Sequence, residues 1–288
     1  NAWQISYGAP GFSPGAGTLV GTTSNPTTIF GLSPNTNYEY YVRDSCGAGD
    51  VSLWEGPFAF STICNPLTFT TSFSENFNGA GWTAGTGFSN ANNTIGTCWE
   101  RDPGAPTGGF GAPYAWGSGS GATPTGNTGP SSGNGGTGGY IYAEASGGGN
   151  QDVATITSPL IDITPLTTPA LEFYYHRYGG FVGELKAQVW SRSQGWTDVW
   201  SASGPQNQSN TTDPWIKETI TLFAFTNDTI RVRFRSVRSF QAQGDIAIDD
   251  LELKEAPSCP KPAGLNVSGR STNSVDLSWT STNATSWQ

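Results

Sequence analysis

Methionine is absent from this chain, histidine occurs once, and charged side chains make up only 12 % of its 288 residues. A complete reading frame begins with Met, so the sequence reads as a fragment or a processed piece. Long apolar runs are missing too. None approaches the roughly 20 residues that a membrane helix needs, so no membrane span is expected. Thirteen Lys and Arg, scattered, stand against 22 Asp and Glu, for a net charge of −9. A nucleic-acid partner is therefore not expected, because phosphate binding needs a basic face. Catalytic motifs are equally scarce. There is no G-x-S-x-G, H-E-x-x-H or phosphate loop. The one histidine, His176, stands in a strand-like run with no Ser or Cys nucleophile motif beside it. It reads as a histidine packed or hydrogen-bonded in a sheet. Counting acids does not exclude the carboxylate pair of a glycosidase, but the chain reads wholly as accessory-type modules, and no enzyme is expected.

What is present is glycine, proline, small polar residues and aromatics: 39 Gly, 19 Pro and 11 Trp. Aromatic side chains can fill a thin sandwich core even where total hydrophobic content is low. Runs such as Thr36-Asn37-Tyr38-Glu39-Tyr40-Tyr41-Val42 and Thr229-Ile230-Arg231-Val232-Arg233-Phe234 alternate apolar with polar residues. Gly, Pro and Asn bound them, which marks strands. No 3.6-residue period survives for three turns, so the chain is read as all-β. Cys46, Cys64, Cys98 and Cys259 form no C-x-x-C zinc pattern and read as extracellular disulfide cysteines. The two ends share an x-x-Trp-Gln motif, Asn1-Ala2-Trp3-Gln4 and Thr285-Ser286-Trp287-Gln288. Laying Trp287 on Trp3 gives a period of 284 residues, so the chain reads as one period of a longer repeat array.

The L-x-P-x-T-x-Y run in Gly31-Leu32-Ser33-Pro34-Asn35-Thr36-Asn37-Tyr38 resembles the tyrosine corner of fibronectin type III domains. The resemblance implies that the Tyr38 ring enters a core while its hydroxyl returns to nearby backbone. Tyr40 and Val42 continue inward, and Phe58-Ala59-Phe60 makes the last strand. The opening strands of the same domain type resemble Pro262-Ala263-Gly264-Leu265 and Ser274-Val275-Asp276-Leu277-Ser278-Trp279, with Trp279 as the core tryptophan. This sandwich is therefore split across the chain ends. Residues 1–63 hold its later strands, and 257–288 hold the first two strands of the next copy.

Residues 64–256 lie between. The ordered set Phe73-Ser74-Glu75-Asn76-Phe77, Gly129-Pro130-Ser131, Gly139-Tyr140-Ile141-Tyr142-Ala143-Glu144-Ala145-Ser146, Leu171–Gly179 and Gly244–Leu251 resembles a MAM domain. That family implies a jelly-roll sandwich of adhesive extracellular proteins. One departure is plain: Ser132-Gly133-Asn134 stands where the family often carries Asp-His-Thr. The resemblance also implies a cation site on Glu144, Ser146 and Asp249 or Asp250. Glu144 and Ser146, two apart, share one side of a strand. Glu75 is added because the first and last strands of a jelly roll are neighbours. Oxygen ligands of this kind suit Ca²⁺. The same acids could instead cap strands or accept backbone hydrogen bonds.

Within this organisation Cys64 follows the last fibronectin-like strand and Cys98 opens the MAM-like unit, so the two are expected to pair. Cys259 and Cys46 fall at the same pole of a completed sandwich, so Cys259 is expected to bond Cys46 of the next repeat. Residues 103–138, rich in Gly, Pro, Ser and Thr, are a candidate ligand loop carrying Phe110, Tyr114 and Trp116. Alternating modules of these kinds resemble surface proteins of Bacteroidota, including the giant adhesins of gliding cells. The expected function is a structural and adhesive repeat of a secreted, surface-anchored filament, stacking head to tail with copies of itself. Surface polysaccharide is a further candidate partner. The alternative is a carbohydrate-binding accessory region of a secreted hydrolase.

Overall fold

The computed structural model describes residues 2–47, 49–85, 90, 93–102, 112–205, 207–258 and 263–280. Nineteen strands and two single-turn 3₁₀ helices appear there, and no α-helix among the described residues. The all-β expectation holds. The chain divides into two compact units, Asn1–Pro66 and Leu67–Gln288.

The first unit is one antiparallel sheet. Its strands are β1 (Ala2–Gly8), β2 (Thr18–Thr22), β3 (Asn37–Gly47), β4 (Asp50–Val51) and β5 (Glu55–Ser61). They run β2-β1-β3-β4, with β5 also paired to β3. Register sets Ile5 between Val20 and Val42, Tyr7 opposite Tyr40, and Tyr38 and Tyr40 opposite Phe60 and Phe58. With a side-chain period of two, these residues share one face. That face has no second sheet over it within the unit. Phe58 is 43 % exposed, and Ile5, Tyr38, Tyr40, Val42 and Phe60 are only half-buried. A concavity of about 430 Å³ opens on it, lined in part by Ile5, Tyr40, Val42 and the exposed Leu53. The unit's two buried described residues, Ser6 and Tyr41, lie on the opposite face, where Tyr41 packs edge-on against Phe12. The Ser33 amide donates to the Tyr38 hydroxyl at 3.0 Å, so the Tyr38 side chain pins the segment entering β3, and its ring stacks on Phe60.

The second unit is a sandwich of two six-stranded sheets. One contains β7 (Glu100–Asp102), β10 (Val153–Thr157), β11 (Ile161–Asp162), β13 (Glu184–Ser191), β14 (Gly195–Ala202) and β16 (Thr229–Val237). Its order is β14-β13-β16-β10-β7, with β11 also on β16. The other contains β6 (Phe73–Glu75), β8 (Ala115–Ser120), β9 (Gly139–Glu144), β12 (Pro169–His176), β15 (Ile216–Thr221) and β17 (Ile246–Glu255). Its order is β15-β12-β17-β9-β8, with β6 also on β17. Phe73 lies opposite Leu253 and Glu75 opposite Leu251, so the first and last strands of the sandwich are neighbours. Inward residues of both sheets meet in one core that includes Trp116, Ile156, Phe173, Tyr175, Val232, Phe234 and Leu253. The Phe173 and Phe234 rings meet edge-to-face at 5.0 Å.

Part of the second sheet, around β9 and the start of β17, is buried on its outward face as well. Tyr140, Tyr142 and Ala247 pack there against Trp215, whose indole N–H donates to the Ser132 carbonyl. Strands β18 (Ala263–Arg270) and β19 (Val275–Thr280) pair with each other and, among the described residues, with no further strand. Val267 stands opposite Leu277 across this hairpin. Val267, Val275 and Leu277 are 39 %, 51 % and 60 % exposed.

Tyr114 and Trp116 correct the ligand-loop expectation. Both are fully buried, and the Trp116 indole donates to the Ala154 carbonyl at 3.2 Å. The stretch looks like a loop because glycines alternate with its aromatics, yet those glycines are packing devices inside β8. A Cβ on Gly117 would approach the Asn90 side chain to 2.7 Å, and one on Gly119 would approach Tyr140 and Tyr142 to 3.0 Å. Phe110 lies outside the described residues.

Candidate functional site

The outward face of β9 and β17 is where acidic side chains leave solvent. Alternation puts Tyr140, Tyr142 and Glu144 on this face of β9, and Asp245, Ala247 and Asp249 on this face at and beside β17. Ala143 pairs with Ile246, so one step further along the ladder Glu144 stands beside Asp245. Both carboxyls are fully buried. Glu144 Oε1 accepts the Ser146 amide at 2.9 Å, and Asp245 Oδ1 accepts the Ala145 amide at 2.8 Å. The remaining oxygens, Glu144 Oε2 and Asp245 Oδ2, are buried with no hydrogen-bond donor. An unmet acceptor in that setting costs about 1–3 kcal/mol, more when charged.

Burial raises the pKa of Glu144, while the Ser146 amide and hydroxyl and Arg238 oppose the rise. For Asp245, burial and then the neighbouring Glu144 push the pKa well above the usual carboxylate range. The hydroxyls of Ser146 and Thr123 stand beside the two carboxyls and oppose the rise in part, though each also has another partner. Thr123 Oγ1 donates to the Thr128 carbonyl, and the Ser146 and Thr125 hydroxyls bond each other at 2.7 Å. Arg238 is held close, its Nε donating to the Ala145 carbonyl at 2.7 Å. Two carboxyls and a rim of hydroxyls make an oxygen-only donor set. Such a set can share a proton or hold a hard cation.

The expected ligands do not converge on one point. Asp249 is four residues from Asp245, about 13 Å of extended strand. Its Oδ2 accepts the Asn134 amide at 2.8 Å and its Oδ1 the Asp250 amide at 2.7 Å. Asp250 Oδ2 accepts the Asn134 side-chain amide at 2.8 Å. The Ser132-Gly133-Asn134 segment thus delivers donors to the Asp pair, and both Asp249 oxygens are satisfied. Burial still lifts the Asp249 pKa to about 7. Glu75 turns back on its own strand, its Oε1 accepting the Phe77 amide at 2.8 Å. The single five-residue site is therefore corrected in one respect: register separates Glu144 and Ser146 from Asp249 and Asp250, whereas Glu75, opposite Leu251, stays beside the Asp pair. Among the described residues, no three His, Cys, Asp or Glu side chains come together.

Asp245 was missed in the sequence. The signal was its parity with Asp249 in Gly244-Asp245-Ile246-Ala247-Ile248-Asp249, which puts it on the Glu144 side of the sheet. His176 is fully buried edge-on against Trp215, and burial pushes its pKa down to about 4. Cys64 and Cys98 are both disulfide-bonded, and Cys46 is an exposed free thiol. Cys259 lies outside the described residues.

A family model described as "MAM domain, meprin/A5/mu" matches residues 109–260, just over half of the chain. The chain belongs to the MAM domain family. MAM is an adhesion-type domain with a jelly-roll fold, in keeping with the sandwich of the second unit. Two curated MAM relatives are neuropilin-1a of Danio rerio and the MAM domain-containing glycosylphosphatidylinositol anchor protein 1 of Gallus gallus. The first is 35 % identical over 144 residues, 49 % of this chain and 15 % of the relative. The second is 37 % identical over 145 residues, 49 % of this chain and 14 % of the relative. The MAM chain thus spans about a seventh of the length of these relatives. Among solved structures, it is similar to the K1 cleaved adhesin domain of Lys-gingipain from Porphyromonas gingivalis W83. Identity is 20 % and the TM-score 0.41, over 65 % of this chain and 99 % of that one.

Proposed function

We propose that this MAM chain is a structural and adhesive repeat of a secreted, surface-anchored filamentous adhesin that stacks head to tail. One observation carries the reading: two apolar sheet faces, one in each unit, have no second sheet over them among the described residues. The first unit offers a sheet with the open face of Ile5, Tyr40, Val42 and Phe58. The second unit ends in a hairpin exposing Val267, Val275 and Leu277. The hairpin of one copy laid over the open sheet of the next makes a two-layer sandwich. Full burial of each such side chain contributes about 1.5–3 kcal/mol. A heterologous contact of this kind propagates into a filament wherever its rotation does not close a ring. The reading also expects Cys259 of one copy to bond the exposed Cys46 thiol of the next in an oxidising medium. Copies joined in one polypeptide would place this junction inside a domain. Separate chains would use it as strand complementation.

Within the sandwich, Ca²⁺ is the proposed resident ion. Glu144 and Asp245 would hold it, with Ser146, Thr125 and Thr123 supplying neutral oxygens. The ion would supply the positive charge that the two donor-less carboxylate oxygens lack. The role is one of bracing and binding rather than catalysis, and the place of action is the extracellular surface.

Light scattering across a concentration series tests the assembly. The expected result is a mass that grows with concentration, and much weaker growth for Leu277→Asp, whose melting temperature should match wild type. A chain that stays monomeric, or a Leu277→Asp variant that assembles as well as wild type, sinks the head-to-tail reading.

A further inference from the structure

The outward face of the sheet β14-β13-β16-β10-β7 is a grid of charge pairs with one gap. Arg231 meets Glu100 at 2.8 Å, Arg235 meets Glu184 at 3.2 Å, and Lys186 meets Asp198 at 2.8 Å. Arg233, between Arg231 and Arg235 on the same face of β16, has no carboxylate partner among the described residues. Its Nε donates to Gln188 Oε1 at 2.8 Å, and its guanidinium lies over the Trp196 ring at 3.7 Å. Partial burial and the two flanking arginines lower its pKa. Two strands away on β7 stands Asp102, diagonal to Arg233 and in line with Thr155, exposed and likewise without an ion pair among the described residues. Between them lies a groove of about 280 Å³, walled by Trp196, floored by Thr155 and Thr157, and rimmed by Glu100, Asp102 and Arg233.

We propose that this groove binds a carboxylated sugar residue of an acidic polysaccharide. Each part of such a ligand has a counterpart. Arg233 keeps both terminal nitrogens free of protein acceptors among the described residues, and a guanidinium receives a carboxylate through two parallel hydrogen bonds. Asp102 and the Thr155 hydroxyl suit neighbouring sugar hydroxyls. Trp196 is 37 % exposed and clamped on one side by Arg233, so its indole is a rigid platform for the C–H face of a sugar ring. The volume is at the small end of ligand sites, which fits one sugar residue at a time. The chain carries net charge −9, so an unpaired cation walled by an indole is not a by-product of bulk charge. The inference is independent of the head-to-tail assembly and survives its failure.

Affinity electrophoresis of the full chain through gels holding polygalacturonate, alginate, hyaluronan, a sulfated galactan or neutral galactan tests the site. Retardation is expected on at least one carboxylated polymer and not on neutral galactan. Arg233→Gln and Trp196→Ala should weaken it at least tenfold with melting temperatures near wild type. Arg235→Gln removes the same charge from the same strand, but its arginine is paired with Glu184 and does not line this groove, so it should stay within twofold. Four results would each overturn the proposal: no retardation on any carboxylated polymer, equal retardation on neutral galactan, stronger retardation on the sulfated polymer, or equal loss from Arg235→Gln and Arg233→Gln.

Discussion

Replacing Asp245 with asparagine should stabilise the sandwich in the absence of cations. The carboxyl is fully buried, its Oδ1 accepts the Ala145 amide, and its Oδ2 has no donor beside Glu144. An amide keeps the first bond and turns its NH₂ toward Glu144 Oε2, exchanging a strained carboxyl pair for a charge-assisted hydrogen bond. Such bonds contribute about 1.5–3 kcal/mol. A unit of this size gains about 2–4 °C per kcal/mol, so Asp245→Asn should melt about 5 °C higher than wild type in EDTA at pH 8. The pH dependence has a definite sign. Glu144 and Asp245 hold protons in the folded state at pH values where the unfolded chain has released them. The pair's contribution to wild-type stability is therefore greatest below the ordinary carboxylate pKa of about 4. It falls as pH rises toward the elevated folded values, by up to about 1.4 kcal/mol per pH unit per proton. The variant lacks one of these titrations and should show the shallower slope. Calcium reverses the order. An ion at a hundred times its Kd adds about 2.7 kcal/mol to wild type, and Asp245→Asn should lose most of that gain. Scanning calorimetry at pH 5 and pH 8, with EDTA or Ca²⁺, reads all of these together. A variant that melts below wild type in EDTA and keeps the full calcium response would refute the reasoning.

Asp249 should titrate near pH 7 in EDTA, read as a carboxyl ¹³C shift; a midpoint near 4 would mean its pocket is open to water. Trp116→Ala should cost about 3–5 kcal/mol of sandwich stability in urea denaturation while leaving glycan retardation intact, because Trp116 is core. Tyr38→Phe removes the acceptor of the Ser33 amide and should cost the first unit about 1 kcal/mol, measured by its own denaturation midpoint.

The strands were legible because alternation survives wherever one sheet face is dry. Val232 and Phe234 point into the core while Arg231, Arg233 and Arg235 point away, and that reads directly from the sequence of β16. Tyr38 was legible for a local reason: its hydroxyl reaches a backbone amide only five residues upstream. The acid site was legible only in part. Glu144 announces itself in a short motif, but its partner is chosen by strand register, a contact 101 residues away in sequence that alternation alone does not specify. Neither could the chain announce that the outward face of β9 and β17 is covered. That depends on Trp215 returning over Tyr140 from a distant loop. Trp116 was misread because glycine density signals a loop in isolation, whereas here Gly117 and Gly119 make room for Asn90, Tyr140 and Tyr142.

The pairing of β6 with β17 sets how the sandwich bears a pull. Phe73, where the chain enters the sheet, lies opposite Leu253, close to where it leaves. While the disulfide of Cys64 and Cys98 is intact, β6 lies inside the closed loop and bears no load. Once it is reduced, tension along the chain arrives and departs at one pole, and the two strands part like a zipper, one hydrogen bond at a time, rather than sliding past each other with all bonds loaded together. β6 is three residues long. Once it peels away, β17 is still flanked by β9 and β12, and most of the core has borne no force. In the reduced domain the Leu67–Ile161 bridge and then β6 yield first, and the disulfide decides whether either is loaded at all.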